Sequence, residues 1–280
     1  MDSPAPLLER ARELALIGDR LQRAYHDEGG ALVVEGQAGS GKTALLAAAR
    51  AAAAQQGFRV LRARGAELER GFAYGVVRQL VEPLLAEASP EERAALLHGA
   101  AGMAAQVLGL AAPGDDGAAA PAAPDPGFAA LHGLYWLCAN LASERPVTLV
   151  VDDAHWADTT SLRFLAFLLP RLEELPVAVL LGARPAQRGA VGEVLTAVTL
   201  DPASDAVRLR PLTTAAVAEL VQAGLGATPD PAFAAACENA TGGIPFLVHT
   251  LVAALRDEDV APVAAQAPRV QEIATSTAGS

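Results

Sequence analysis

An α/β fold, a parallel sheet covered by helices on both faces, is predicted by three features of the sequence. Short apolar, β-branched runs at 31–36, 147–153 and 177–185 read as strands buried on both sides. Stretches with helical spacing alternate with them, as parallel connections require. After Pro211 the strand signal stops, and only helical spacing continues. The expected architecture is a five-stranded parallel sheet flanked by helices, followed by a small C-terminal helical lid.

Taken in order, residues 7–28 place Leu7, Leu8, Leu14, Ile17, Leu21 and Tyr25 near helical spacing among charges. ALVVEG at 31–36 is the first strand and ends in glycine. Residues 43–56 form an Ala/Leu helix stopped by Gly57. FRVLRARG at 58–65 alternates as a second strand, and 75–88 and 90–110 read as helices. In 111–127, AAPGDDGAAAPAAPDPG, Pro, Gly and Asp recur too often for a regular element, so a flexible surface insertion is expected. Helical spacing returns at 128–142, and Pro146 introduces the strand VTLVVDD. A helix at 159–174, a strand at 177–185 closed by Pro185, and a weak fifth strand at 207–210 follow. Residues 213–223, 231–239 and 246–257 are the lid helices, and 260–280 has no strong period. The chain therefore divides into a core at 1–210, a lid at 211–258, and a tail or the start of a further region at 259–280.

A chain of 280 residues buries about 75% of its unfolded surface, so it needs no disulfide or metal to fold. Hydrophobic residues at 52% against 19% charged exclude an intrinsically disordered chain. Cys138 and Cys237 make neither a disulfide framework nor a zinc cluster and read as small buried hydrophobes. Twenty-one basic against 32 acidic residues give a net charge of −11, which argues against direct DNA contact. Of the charge-free stretches, 94–112 is mostly Ala and Gly with His98 and Gln106, and 126–143 carries Pro126, Gly127, His132, Gly133, Asn140 and Ser143. Such stretches are expected as helices of a soluble protein and not as membrane spans. The N-terminus lacks the apolar core of a signal peptide, so a cytoplasmic protein is expected.

Gly36-Gln37-Ala38-Gly39-Ser40-Gly41-Lys42-Thr43 fits G-x-x-x-x-G-K-[ST] at every position, after a strand and before a helix. Glycines let consecutive N–H groups turn toward phosphates, and the helix N-terminus adds favourable partial charge. Lys42 would reach the β/γ-phosphates, and the Thr43 hydroxyl would ligate Mg²⁺. ATP or ADP with Mg²⁺ is therefore the expected ligand. VTLVVDD delivers Asp152 and Asp153 to the sheet edge where ligands of open α/β sheets bind. Asp152 would hold Mg²⁺ and Asp153 would activate the attacking water, while Asp158, Thr159 and Thr160 suit a helix cap. Arg184, at the end of the next strand, would sit beside the γ-phosphate and report its presence. His155 and Trp156 read as packing residues, and Arg64, Glu67, Glu69 and Arg70 as a solvated loop face without chemistry. Asp115 and Asp116 hold no metal in this reading.

With these residues the chain resembles the signal-transduction ATPases with numerous domains, the STAND class of P-loop ATPases. More closely, it resembles the N-terminal ATPase module of large LuxR-family, MalT-like transcriptional regulators. The resemblance covers residues 7–258 and rests on LLERARELALI, GQAGSGKT, RARGAELERGFAYGVVRQLVEPLL, LHGLYWLCANL, VDDAHWAD, GARP and TGGIPFLV. It implies a RecA-like core with strand order 5-1-4-3-2, which puts Arg184 between the P-loop and Asp153. It also implies that Arg10 lines the adenine side and that Pro245 is the lid proline that touches the nucleotide; Ile244 stands where relatives usually have Asn.

The reading is an ATP-binding, slowly hydrolysing switch, closed with ADP and opened toward self-association by ATP with an inducer. Such regulators are several hundred residues longer and end in a helix-turn-helix, so inducer and DNA contacts are expected through regions absent from this chain. An excised or truncated ATPase module is expected, and Arg163 and Arg171 are candidates for an arginine acting in trans. The rivals are a P-loop phosphotransferase acting on a small molecule, an AAA-type motor or loader, and a nucleotide-binding scaffold.

Overall fold

Nearly continuous apolar strands need cover on both faces, and the computed structural model, which describes residues 7–110, 126–185 and 189–278, supplies it with helices. Two units emerge from the chain. One comprises Leu14–Glu35 and Leu46–Val207; the other comprises the described residues up to Glu13, Gly36–Leu45, and the chain from Arg208 onward.

The first unit is built on the sheet. Strands β1 (Gly30–Glu35), β2 (Arg59–Arg64), β3 (Val147–Asp152), β4 (Val177–Ala183) and β5 (Ser204–Arg208) lie in the order β2-β3-β4-β1-β5. Strand β1 pairs with β4, β4 with β3, and β3 with β2, all in parallel. The three inner strands β3, β4 and β1 are buried along their lengths apart from Asp152 and Glu35, whereas β2, at an edge, turns Arg62 and Arg64 outward. The expected order 5-1-4-3-2 is this order read from the other edge. Helices α1 (Ala11–Tyr25), α2 (Lys42–Gln55), α3 (Gly75–Glu87), α4 (Pro90–Leu96), α5 (Ala104–Val107), α6 (Pro126–Glu144), α7 (Thr159–Leu168) and α8 (Ala190–Leu200) accompany the strands. The core is formed by residues such as Val33, Leu80, Leu137, Leu149, Phe164 and Leu181.

Several boundaries differ from expectation. The helix expected at 90–110 is broken: α4, started by a Ser89–Glu92 capping box, gives way to a 3₁₀ turn at Gly99–Met103 and then α5. Gly99 has φ of 65°, a left-handed conformation that no continuous helix accommodates. Helix α7 stops at Leu168 instead of 174, because Pro170 has no N–H to continue the ladder and starts a 3₁₀ turn. Helix α6 begins at Pro126, so Pro126 and Gly127 belong to it and not to the insertion; proline is tolerated in a first turn. The remainder of that expected insertion, 111–125 with Asp115 and Asp116, lies outside the described residues. Helix α8 was not expected, its Leu195 and Val198 being masked by β-branched neighbours. Strand β5 starts earlier than 207, through polar residues that an edge strand leaves exposed.

The second unit carries α9 (Thr214–Leu225), α10 (Pro231–Thr241), α11 (Pro245–Asp257) and α12 (Ala267–Ala278). Val217, Phe233, Cys237, Val248 and Leu251 form its core. Val270 and Ile273 of α12 join that core, so the segment read as lacking a period packs as a fourth helix. No helix among the described residues is long and apolar enough to cross a membrane.

Cys138 in α6 and Cys237 in α10 are free and buried, and burial pushes both thiols up to about 12. Only the thiolate reacts, so at neutral pH alkylation of the folded chain should run at least about 10³-fold slower than after unfolding. Adduct mass with and without denaturant checks this; rapid labelling of the folded chain would contradict it.

Candidate functional site

In the unit that holds Gly36–Leu45, the Gly-rich loop is a turn with a buried cationic lining. Gly39 and Gly41 adopt φ of 76° and 94°, which explains glycine at both. A Cβ on Gly36 would stand 2.3 Å from Ser40 Oγ, so Gly36 is what admits that hydroxyl. Lys42 begins α2, is 6% exposed, and donates from Nζ to the carbonyls of Gly36 at 2.8 Å and Gln37 at 3.0 Å. Gln37, Ala38 and Thr43 are exposed.

Arg10, buried, donates from Nη2 to the carbonyls of Arg210 at 2.8 Å and Ser40 at 3.4 Å. It thereby braces the loop from a residue thirty positions upstream. The neighbouring Glu9 accepts from the hydroxyl and amide of Thr213, the N-cap of α9, and these bonds hold its carboxyl below the ordinary range. Gly39 also meets α11: its carbonyl accepts the Phe246 N–H at 3.1 Å, and a Cβ there would lie 2.8 Å from Phe246 Cβ. Arg10, the loop and the Ile244–Pro245–Phe246 turn thus come together within one unit.

In the sheet unit, Asp152 and Asp153 stand at the end of β3. Asp152 Oδ1 accepts the Asp153 N–H at 2.9 Å, and Gly182 on β4 leaves room for it, since a Cβ there would come within 3.0 Å of that oxygen. Asp153 has left the strand with φ of 50°. Its Oδ2 accepts from Arg64 Nε at 3.1 Å and Nη2 at 2.9 Å, and it is 19% exposed against 69% for Arg64. Gly65 passes so close that a Cβ would sit 2.3 Å from the Asp153 carbonyl. Arg64 and Arg70 are therefore not a mere solvated face. Arg64 holds the second carboxylate, and Arg70 lies over the Trp156 ring with its guanidinium carbon 4.2 Å from the centroid. Arg184 is exposed just beyond β4, 5.8 Å from the same ring. His155 is buried, as a packing residue should be.

Asp158 is the N-cap of α7 and does more than cap. Its buried carboxylate accepts the N–H groups of Ser161 at 2.8 Å, Tyr74 at 2.9 Å and Val76 at 3.2 Å, and the Thr160 hydroxyl. It thus ties the start of α3 to the start of α7. Burial pushes its pKa up, but the bonds from Ser161, Thr160 and Val76 outweigh that and hold it below the ordinary value. A depressed folded pKa stabilises the fold above the unfolded value of about 3.9, and that contribution is lost as pH falls through the folded pKa. Asp158→Ala should cost about 2–4 kcal/mol in urea unfolding at neutral pH, with the difference from wild type shrinking in acid. An unchanged midpoint at pH 7 would refute this role.

The loop suits a polyphosphate. Ser40 Oγ is buried and has no hydrogen-bond partner among the described residues, and the first N–H groups of α2 have no partner within the helix. Donors, a buried ammonium and a helix N-terminus converge there. Among the described residues no group of three or more His, Cys, Asp or Glu could hold a metal. Mg²⁺ bound with a polyphosphate would take phosphate oxygens among its ligands, the usual arrangement for that ion.

Residues 6–181 match the AAA ATPase domain family, over more than half of the chain, and the chain belongs to that family. No curated protein matches it. Among solved structures, Drosophila ORC bound to DNA is similar with a TM-score of 0.50 and 13% identity, over 98% of this chain and 66% of that one. A signal transduction ATPase with numerous domains from Pyrococcus horikoshii, with a tetratricopeptide repeat sensor, gives 0.47 and 20% identity, over 88% of this chain and 30% of that one. The chain thus spans less than two thirds of either protein. The likeness to ORC shows the P-loop α/β fold.

Proposed function

We propose that this member of the AAA ATPase domain family is the ATP-binding, slowly hydrolysing switch module of a STAND-class, LuxR-type transcriptional regulator in the cytoplasm. The observation that carries the nucleotide reading is the loop at 36–43, with Lys42 buried on its carbonyls and Ser40 Oγ lacking a partner. Lys42 and the loop amides take the phosphates, and Arg10, which also donates to the Ser40 carbonyl of the loop, lines the adenine side. Pro245, in the turn against Gly39, is the lid residue toward the nucleotide. Thr43 and Asp152 would hold Mg²⁺, which would neutralise charge on the phosphate oxygens. Asp153 takes the proton of the attacking water. Arg184 meets the γ-phosphate and so distinguishes ATP from ADP.

A switch needs a difference in contacts between its two ligands, and only ATP offers the third phosphate. The ATP state favours self-association, and the inducer and promoter DNA are met by regions outside this chain. The test is calorimetry with ATP and ADP, with and without Mg²⁺, together with identification of any nucleotide that survives purification. Binding of both with slow turnover supports the reading. Fast, substrate-stimulated turnover in rings would favour a motor or loader instead, and no binding would overturn it.

A further inference from the structure

Trp156 lies within reach of two arginines from distant parts of the chain. The guanidinium carbon of Arg70 is 4.2 Å from its ring centroid and that of Arg184 is 5.8 Å, both inside the range of cation–π attraction. Arg70 Nη2 also donates to the His155 carbonyl at 2.8 Å. The loop after β2 is thereby fastened to the segment that follows Asp153. That loop carries the 3₁₀ turn Glu67–Glu69, whose Leu68 is 94% exposed, so it has little packing of its own. Its neighbours on the sheet side are Arg64, engaged with Asp153, and Gly65, whose N–H donates to the Asp152 carbonyl at 2.9 Å.

We propose that Trp156 is a positioning residue for Arg184 and that it couples Arg184 to the loop at 66–73. The proposal rests on the reading of Arg184 as the group that meets the γ-phosphate. Two like charges sharing one ring repel each other, while each is attracted to the same π-system. An anionic phosphate attracts a guanidinium more strongly than a ring does, through charge-assisted hydrogen bonds. When Arg184 turns to the phosphate, Arg70 keeps the indole without a competing cation, and the loop is held more tightly. With ADP, Arg184 stays on the ring and the loop is held less. The packing role expected of Trp156 thus becomes a link between nucleotide state and an exposed loop.

Trp136→Phe leaves Trp156 as the only tryptophan of the two, so its emission reports the ring directly. In this background, a non-hydrolysable ATP analogue with Mg²⁺ should change Trp156 emission relative to ADP. It should also slow amide exchange across 66–73 by roughly two- to fivefold, the worth of an exposed cation–π contact. Arg70→Ala should abolish the loop response while ATP is still preferred over ADP. Trp156→Leu should lose the loop response and weaken that preference, whereas Trp156→Phe, which keeps an aromatic face, should restore much of both. If Trp156→Leu does not fold, Trp156→Phe and Arg70→Ala carry the test by the same readouts. Discriminating binding of ATP with unchanged emission and exchange would overturn the coupling and leave the reading of Arg184 standing. Retention of the full ATP preference in Trp156→Leu would overturn the positioning role. Failure to bind either nucleotide would overturn the functional reading and the coupling with it.

Discussion

Lys42→Ala should abolish tight ATP binding and lower hydrolysis by about 10²–10³, without unfolding the chain. The ammonium is buried in the turn, and its bonds to the Gly36 and Gln37 carbonyls fix where its charge points. A cation preorganised in that way stabilises phosphate charge without having to reorganise when the ligand arrives. Its loss also removes two hydrogen bonds, a structural cost of about 1–3 kcal/mol. Thermal unfolding therefore has to accompany the binding measurement. A variant that melts close to wild type but shows no calorimetric ATP signal assigns the loss to the site. Unchanged affinity with unchanged turnover would remove Lys42 from the site altogether.

The loop was legible because its chemistry is local. Glycines with φ of 76° and 94°, the lysine and the threonine are neighbours in sequence, and the left-handed backbone of the turn favours glycine. The apolar runs 31–36, 147–153 and 177–185 were legible for the same reason, since a strand buried on both faces needs no partner to be recognised. Arg64 and Arg70 were not. Their partners Asp153 and His155 lie 89 and 85 residues away, and in sequence both look like ordinary charges in a polar loop. Gly65 and Gly182 were missed because what each makes room for, the Asp153 carbonyl and the Asp152 carboxylate, comes from another strand's end. Helix α12 escaped because only Val270 and Ile273 mark its buried side, too few positions to show a period. The break after α4 lay in the backbone of Gly99, and a helix of Ala and Gly gives little apolar contrast against which to see it.

Asp153→Asn should keep Mg-ATP binding while single-turnover hydrolysis falls by at least about 10²-fold. The substitution is mild for the fold. Asp153 sits at φ of 50°, in the left-handed region that Asn occupies as readily as Asp. The bonds from Arg64 go to Oδ2 alone, at 2.9 and 3.1 Å, and an amide oxygen can accept them in its place. The other oxygen, Oδ1, has no hydrogen-bond donor among the described residues, which leaves it able to take a proton from water. An amide cannot take that proton, and general-base assistance is worth about 10²–10⁴ in rate. Asp152→Asn should behave differently. Its carboxylate lies beside Gly182 and accepts the next residue's N–H, so losing its charge should weaken the magnesium dependence of nucleotide affinity before it changes the chemistry. Affinity with and without Mg²⁺, measured beside single-turnover rates for the two variants, separates the roles. Hydrolysis by Asp153→Asn at the wild-type rate would end the assignment of Asp153 as the base and leave a nucleotide-binding scaffold as the better reading.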